Sequence, residues 1–501
     1  MEGNISRRAL LGLTAAAASQ ILENHAPIKI FSDDVLPAIG MEEMAVDTET
    51  LPEPTQGLNY EPPLPEIIFK SAHVTVAEEN QKEGDGGWVL MQPNTSYVAA
   101  FTAPHSAKPG EKLSFHVASN DGRYDLKLYR LGWYGGAGGR LVYEKDGISA
   151  PQQTTKYDPT TAGTTGTWEA SHEVVVPDEW RSGMYAAVAT STNKFQSLAP
   201  FWVRSPKPNA PIVAESGLLT AQAYNNINGL SLYGGASAVS LDRQFRDCWG
   251  AGDIFRYELP FVRFAEKAGI DMDYQADLDT QNDEEALMGR VLIAMVGHHE
   301  YYTMDMKRRL EQAVKNGTNV ALFGSNACYW RINLEDTIFG KNRKVVCDRK
   351  TMASPNKPKS QFRNQEEHEA ALFGVAYEQT SKGDDWVVAN ENHWVFKDSG
   401  FKNGDAITHG IGPEFDTIFD GVPAGVGREI LAASVVNKGP GQGHSYSCLT
   451  THESGAQVFA TGSLEWAQAL DSFRIGIRSY PIPTEDPRAQ ILAANVLKTL
   501  G

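Results

Sequence analysis

Two histidines, a glutamate and two tyrosines stand together in VGHHEYY at 296–302, directly after the apolar run RVLIAM. A carboxylate there can ligate a hard metal or act as a base, and an imidazole exchanges protons near neutral pH. His298 and Glu300 are two residues apart, so on a continuing strand they share a face while His299 points the other way. The bland alternative is a buried hydrogen-bonded His–Glu pair, or charged residues on an exposed loop. A zinc peptidase is disfavoured, because Tyr301, Tyr302 and Thr303 follow His299-Glu300 where H-E-x-x-H needs a second histidine. The chain also lacks a G-x-S-x-G elbow and a Rossmann G-x-G-x-x-G after a strand. Cys328 with His298 or His393 could form a thiol nucleophile pair, but a cysteine followed by Tyr-Trp in an apolar strand end is more often packed.

The elements around this stretch alternate between β and helical character. PIVAES, RVLIAMVG and NVALFGS are strand-like; DIFRYELPFVRFAEKAG and TMDMKRRLEQAVKNG have helical period. Such alternation describes a parallel sheet covered by helices, over residues 206–501. Ligands gather at the carboxyl edge of such sheets. VGHHEYY occupies one strand end and GSNACYW at 324–330 the next, so Glu300 and Asn326 are expected to meet. Upstream, residues 66–205 break into many short apolar or alternating runs divided by Gly, Pro, Asn and Asp, which predicts a β-sandwich. GWYGGAGG at 132–139 lacks the lysine and following helix of a P-loop and is read as a tight turn between strands.

A chain of 501 residues with 41% hydrophobic content can fill more than one core. The net charge of −17 and the absence of clustered Lys and Arg argue against a nucleic-acid partner. Residues 1–20, MEGNISRRALLGLTAAAASQ, read as a twin-arginine export signal. Its use would give a periplasmic or extracellular protein, and its disuse a cytoplasmic one. Residues 21–65 form an acidic, proline-bearing arm. No later run approaches the roughly 20 apolar residues of a membrane span. Cys248, Cys328, Cys347 and Cys448 are too scattered for a disulfide-built fold and read as buried thiols, with one disulfide left open.

Taken in order, LYRLGWYGGAGGRLV (128–142), SGMYAA (182–187), AYNNINGLSLY (223–233), LDRQF (241–245), VGHHEYYTMDM (296–306), FGSNACYWRI (323–332), NHWVF (392–396) and VFATGSLEWAQALD (458–471) resemble the large, beta subunit of the N,N-dimethylformamidase family. The resemblance covers most of residues 66–480. It implies an α/β domain of the flavodoxin-like or glutamine-amidotransferase-like class behind the sandwich. It also implies a mononuclear Fe(III), held by Tyr185, Tyr224 and Glu300, with His298, Asn326 and Lys350 as catalytic residues. Phenolate and carboxylate are hard anionic donors that suit a trivalent cation. The expected activity is hydrolysis of N,N-dimethylformamide or a related small neutral amide by Lewis-acid activation of water or carbonyl. Expected partners are a second copy of the chain or a separate small subunit. Tyr302 departs from the family pattern, which has tryptophan there. An amidase for a larger substrate, and an exported binding protein on the same scaffold, are the competing expectations.

Overall fold

The computed structural model describes residues 74–246, 252–350, 352–354, 357–438, 441–474 and 480–501. The export signal, the acidic arm and Cys248 lie outside these residues. The described residues fall within one compact unit, Pro54–Gly501. The architecture is mixed α/β, with several sheets and helices.

The first part of the chain builds two antiparallel-rich sheets. One has three strands, in the order Val98–Ala103, Lys112–Ser119, His172–Val175. The other has five, in the order Ser106–Ala107, Gln196–Val203, Gly183–Ser191, Arg123–Leu131, Gly139–Ser149. Phe115, Val117, Leu126, Leu128, Tyr185 and Phe201 belong to one buried apolar cluster drawn from both sheets. Their alternation along the strands is what places them on a common inner face.

GWYGGAGG is a turn between Arg123–Leu131 and Gly139–Ser149, as its composition predicts. Gly138 has φ 77°, and a Cβ there would meet Arg263 Nη1 at 2.5 Å and the Trp88 ring at 2.8 Å. Arg263 and Lys267 of the helix Leu259–Lys267 lie over the Trp133 ring, at 5.2 and 4.7 Å. Beside them Arg130 and Glu266 form a fully buried ion pair at 2.8 Å.

The second part is organised on a seven-stranded sheet. Its order is Met272–Ala276, Ile212–Ser216, Leu292–His298, Asn319–Ser325, Gln457–Ala460, Gly441–Thr451, Gly427–Lys438. The first five strands run parallel, and the last two add antiparallel. Leu292–His298 is buried along its whole length, as a strand covered on both faces must be, which explains its unbroken apolar run. The helix Met304–Lys315 buries Met306, Leu310, Ala313 and Val314, spaced to lie on one face, and Thr303 caps it by accepting from the Met306 amide. The segment expected as one helix from Asp253 begins instead with a π-helical turn, Ile254–Glu258, before Leu259–Lys267 continues it. Cys328, Cys347 and Cys448 are buried free thiols. Among the described residues no helix is long and apolar enough to cross a membrane.

Candidate functional site

Three adjacent parallel strands end together, and glycines let their ends close up. Gly297 has φ 80°, and a Cβ there would strike Glu258 Cγ at 2.8 Å. A Cβ on Gly324 would strike the Gly297 carbonyl, and one on Gly217 the His298 carbonyl. The sequence therefore reads Gly-His at one strand end and Gly-Ser-Asn at the next. Pairing of His298 with Ser325 sets the two ends level.

Beyond these ends the chemistry gathers. His298 Nε2 lies 3.0 Å from Glu414 Oε2 and 3.6 Å from Glu300 Oε2. Asn326, with φ 52°, donates from Nδ2 to Glu414 Oε2 at 2.8 Å, and its backbone amide donates to Asp416 Oδ1. Tyr224, the last residue of the helix Leu218–Tyr224, donates to Glu414 Oε1 at 3.3 Å. The Tyr233 hydroxyl lies 2.8 Å from Glu300 Oε1 and 2.9 Å from the Tyr224 hydroxyl. One hydroxyl proton cannot serve both contacts at once. When Glu300 is ionised, Tyr233 donates to it; when Glu300 is protonated, a continuous donor chain runs from Glu300 through Tyr233 and Tyr224 to Glu414.

Electrostatics separate the two carboxylates. Burial raises Glu300 above its ordinary pKa, Glu414 raises it further, and His298 only partly opposes them. Burial acts on Glu414 in the same sense, but the charge of His298 and hydrogen bonds from His298, Asn326 and Tyr224 hold it below the usual range. Burial alone would depress His298; the two glutamates outweigh it and hold the imidazole at about 9. Tyr224 is pushed up by burial and by both glutamates. His299 faces away, its Nε2 against the Val296 carbonyl, and burial holds it at about 4.

Of the six residues expected from the sequence, His298, Glu300, Asn326 and Tyr224 meet here. Tyr185 does not. It sits in the middle of the five-stranded sheet, paired with Arg130 on one side and Phe201 on the other, and is completely buried. Its ring packs on Trp180 and Phe201, and its hydroxyl donates to the Arg181 carbonyl at 2.7 Å. Lys350 is exposed and outside the cluster; its amide donates to Asp348. The basic residue that reaches the site is its neighbour Arg349, 3.9 Å over the Tyr233 ring and 5.0 Å over Trp330.

The expected iron centre is accordingly corrected. Its donor set is not assembled, since Tyr185 is held in another core. Among the described residues no group of three or more His, Cys, Asp or Glu side chains is placed to hold a metal ion. The oxygens of Glu300 and Glu414 turn to an imidazole and to phenol hydroxyls instead. The expectations of an iron-dependent hydrolysis, of a metal-dependent amidohydrolase and of a mononuclear Fe(III) cofactor fall with it.

Sequence reasoning missed Glu414, Tyr233 and Arg349. Tyr233 stood in view at the end of AYNNINGLSLY, nine residues from Tyr224. Glu414 opens the short strand Glu414–Thr417, in a segment without a recognisable pattern, and only folding brings it to Asn326.

In this mixed α/β chain the buried acid and base groups lie at the carboxyl edge of a parallel sheet, where such sheets take their ligands. The chain belongs to the N,N-dimethylformamidase beta subunit-like, C-terminal family, whose model matches residues 125–481. No curated protein matches it. Among solved structures, a 1.4 Å crystal structure of an uncharacterized protein from Bacillus anthracis str. Ames is 14% identical, covering 21% of this chain and 84% of that one, with a TM-score of 0.14.

Proposed function

We propose that the chain hydrolyses the C–N bond of a small neutral amide with the acid and base groups around His298. The observation that carries this reading is a convergence of unmet hydrogen-bonding atoms. Glu300 Oε2, Nδ1 of His298 and Asn326 Oδ1 are buried and have no hydrogen-bond partner. Buried polar atoms in folded proteins are nearly always paired, so this cluster is where a polar ligand is taken. The family's description, which names an amidase, supplies the bond type.

In this reading Glu300, raised toward neutrality, takes the proton of the attacking water through Oε2. The charged imidazole of His298 gives its proton to the departing amine. Glu414, steadied by Asn326, keeps that imidazole charged and oriented. The Tyr233–Tyr224 pair carries the proton gained by Glu300 toward Glu414. Arg349 supplies a fixed positive charge beside the developing oxyanion.

The finer architecture belongs to the same proposal. The two N-terminal sheets form a β-sandwich domain over 66–205, and 206–501 form a flavodoxin-like catalytic domain. Export through residues 1–20 and assembly with a second copy or a small subunit complete it. The test is amine release from a panel of N-alkylformamides and larger amides. Turnover by the native chain, with loss of ~100-fold or more in Glu300→Gln and in His298→Gln, is the expected result. Equal turnover in these variants, or none with any amide, would overturn the reading.

A further inference from the structure

A cavity lies between the first sheet and the segment that follows Tyr224, with a volume of about 350 Å³. That is within the range of small-molecule sites, roughly 300–1,000 Å³. Its walls are unusual for a chain with a net charge of −17, because not one of the residues lining it is ionisable at neutral pH. Amides and hydroxyls line it instead, among them Asn120, Gln152, Thr154 and Gln244, together with the aromatic rings of Tyr97 and Trp168.

Two of these groups have buried atoms that the fold leaves unpaired. Trp168 is 2% exposed, yet its indole Nε1–H has no partner, and neither does Gln244 Oε1. A buried indole N–H ordinarily finds an acceptor. The rest of Trp168 is firmly built in. Its carbonyl accepts from His116 Nδ1 at 2.8 Å, and its ring packs on Phe101 at 5.3 Å. Both atoms are sealed behind the cavity wall, so the groups a ligand meets are the exposed side chains of Asn120, Gln152 and Thr154 beside the Tyr97 ring.

We propose that this cavity binds a neutral saccharide of one to a few units. Sugar hydroxyls donate and accept at once, which matches carboxamide walls that present both functions. A charged ligand would find no countercharge in the lining, and an apolar one would desolvate the amides without pairing them. The proposal is independent of the amide-hydrolysis reading.

The test is isothermal titration calorimetry of the full chain with maltotriose, cellobiose and N,N′-diacetylchitobiose. At least one of the three binds one-to-one, with an affinity that added salt does not change. Asn120→Ala combined with Gln152→Ala weakens it by about tenfold or more, and Trp168→Phe, which removes only a sealed N–H, leaves it unchanged. Near-UV circular dichroism identifies a variant that has lost its fold, and Asn120→Ala alone, at an exposed position, keeps the test open in that case. His298→Gln binds as the native chain does. No binding of any of the three sugars, binding that survives the double substitution, or binding that salt abolishes would each overturn the proposal.

Discussion

Replacing Glu414 with glutamine tests the site at the residue on which the others depend. The substitution keeps shape and removes charge. Glu414 faces a buried imidazole at 3.0 Å, accepts from Asn326 at 2.8 Å and from Tyr224 at 3.3 Å. At an effective dielectric of about 20, a pair of unit charges 3.0 Å apart interacts by about 5 kcal/mol. Removing one partner of a buried pair costs about 3–5 kcal/mol, so about 3 kcal/mol is a conservative figure for the charge on His298. At about 1.4 kcal/mol per pH unit, His298 then falls by about two units from its position near 9. The direction follows from the balance at this residue: burial depresses the imidazole, and without Glu414 only Glu300 remains to oppose it.

If the imidazolium is the acid that protonates the amine, activity falls as pH rises through the His298 pKa. In Glu414→Gln that alkaline limb moves to about pH 7, and turnover at about pH 8 drops by roughly 10-fold. The assay is the pH dependence of kcat and kcat/KM for amine release, beside the native chain and Glu414→Asp, which restores a charge. An alkaline limb that stays in place in Glu414→Gln, with turnover within a few-fold, would refute the assignment of His298 as acid and of Glu414 as its positioning carboxylate.

The remaining predictions use the same logic elsewhere. Arg349→Ala removes the cation over Tyr233 and Trp330 and lowers kcat/KM by about 3- to 30-fold, the range of a partly desolvated cation–π contact, whereas Lys350→Ala leaves it unchanged. Tyr185→Phe loses a single buried hydrogen bond, lowers stability to urea by about 1 kcal/mol and leaves turnover intact. Asp273, which accepts from Arg290 at 2.5 Å and from Ser205 and the Asn209 amide, is held below the usual carboxylate range against its own burial. Its stabilisation is present above the unfolded-state value near ~4 and is lost as pH falls through the lower folded value. Asp273→Asn therefore lowers the urea midpoint strongly at neutral pH, and the difference from the native chain shrinks at about pH 3.

What the sequence disclosed follows the range over which its signals act. Periodicity is local, and it located the helix Met304–Lys315 and the strands that end at His298 and Ser325. The carboxyl-edge rule expected Glu300 and Asn326 at one place, and the two are linked there through His298 and Glu414. The alternation that marks a strand also placed Tyr185 in a sheet, but says nothing about which sheet face meets which core. Its burial against Trp180 and Phe201 is a tertiary outcome. Lys350 shows the opposite limit. A basic residue in the right segment was legible, but a one-residue change of position in an irregular stretch separates an exposed lysine from Arg349 stacked over Tyr233.

Glu414 marks the boundary of what local pattern can reach. Nothing around it, in GPEFDT, distinguishes a carboxylate that orders an imidazole from one on a surface turn. Its position is dictated from the other side: Ser325 Oγ donates to the Glu414 carbonyl, and the Asn326 amide donates to Asp416 Oδ1, so the strand Glu414–Thr417 is fastened to the end of Asn319–Ser325 by two bonds that each join a side chain to the main chain. Once fastened there, the Glu414 side chain must meet His298, because His298 and Ser325 are level in neighbouring strands. The acid–base pair is thus a consequence of sheet register, and a residue that turns one strand end into its neighbour fixes the site as firmly as the charged groups do. Gly324 is such a residue: a Cβ there would collide with the Gly297 carbonyl, so alanine must part the two strand ends and move His298 away from Glu414.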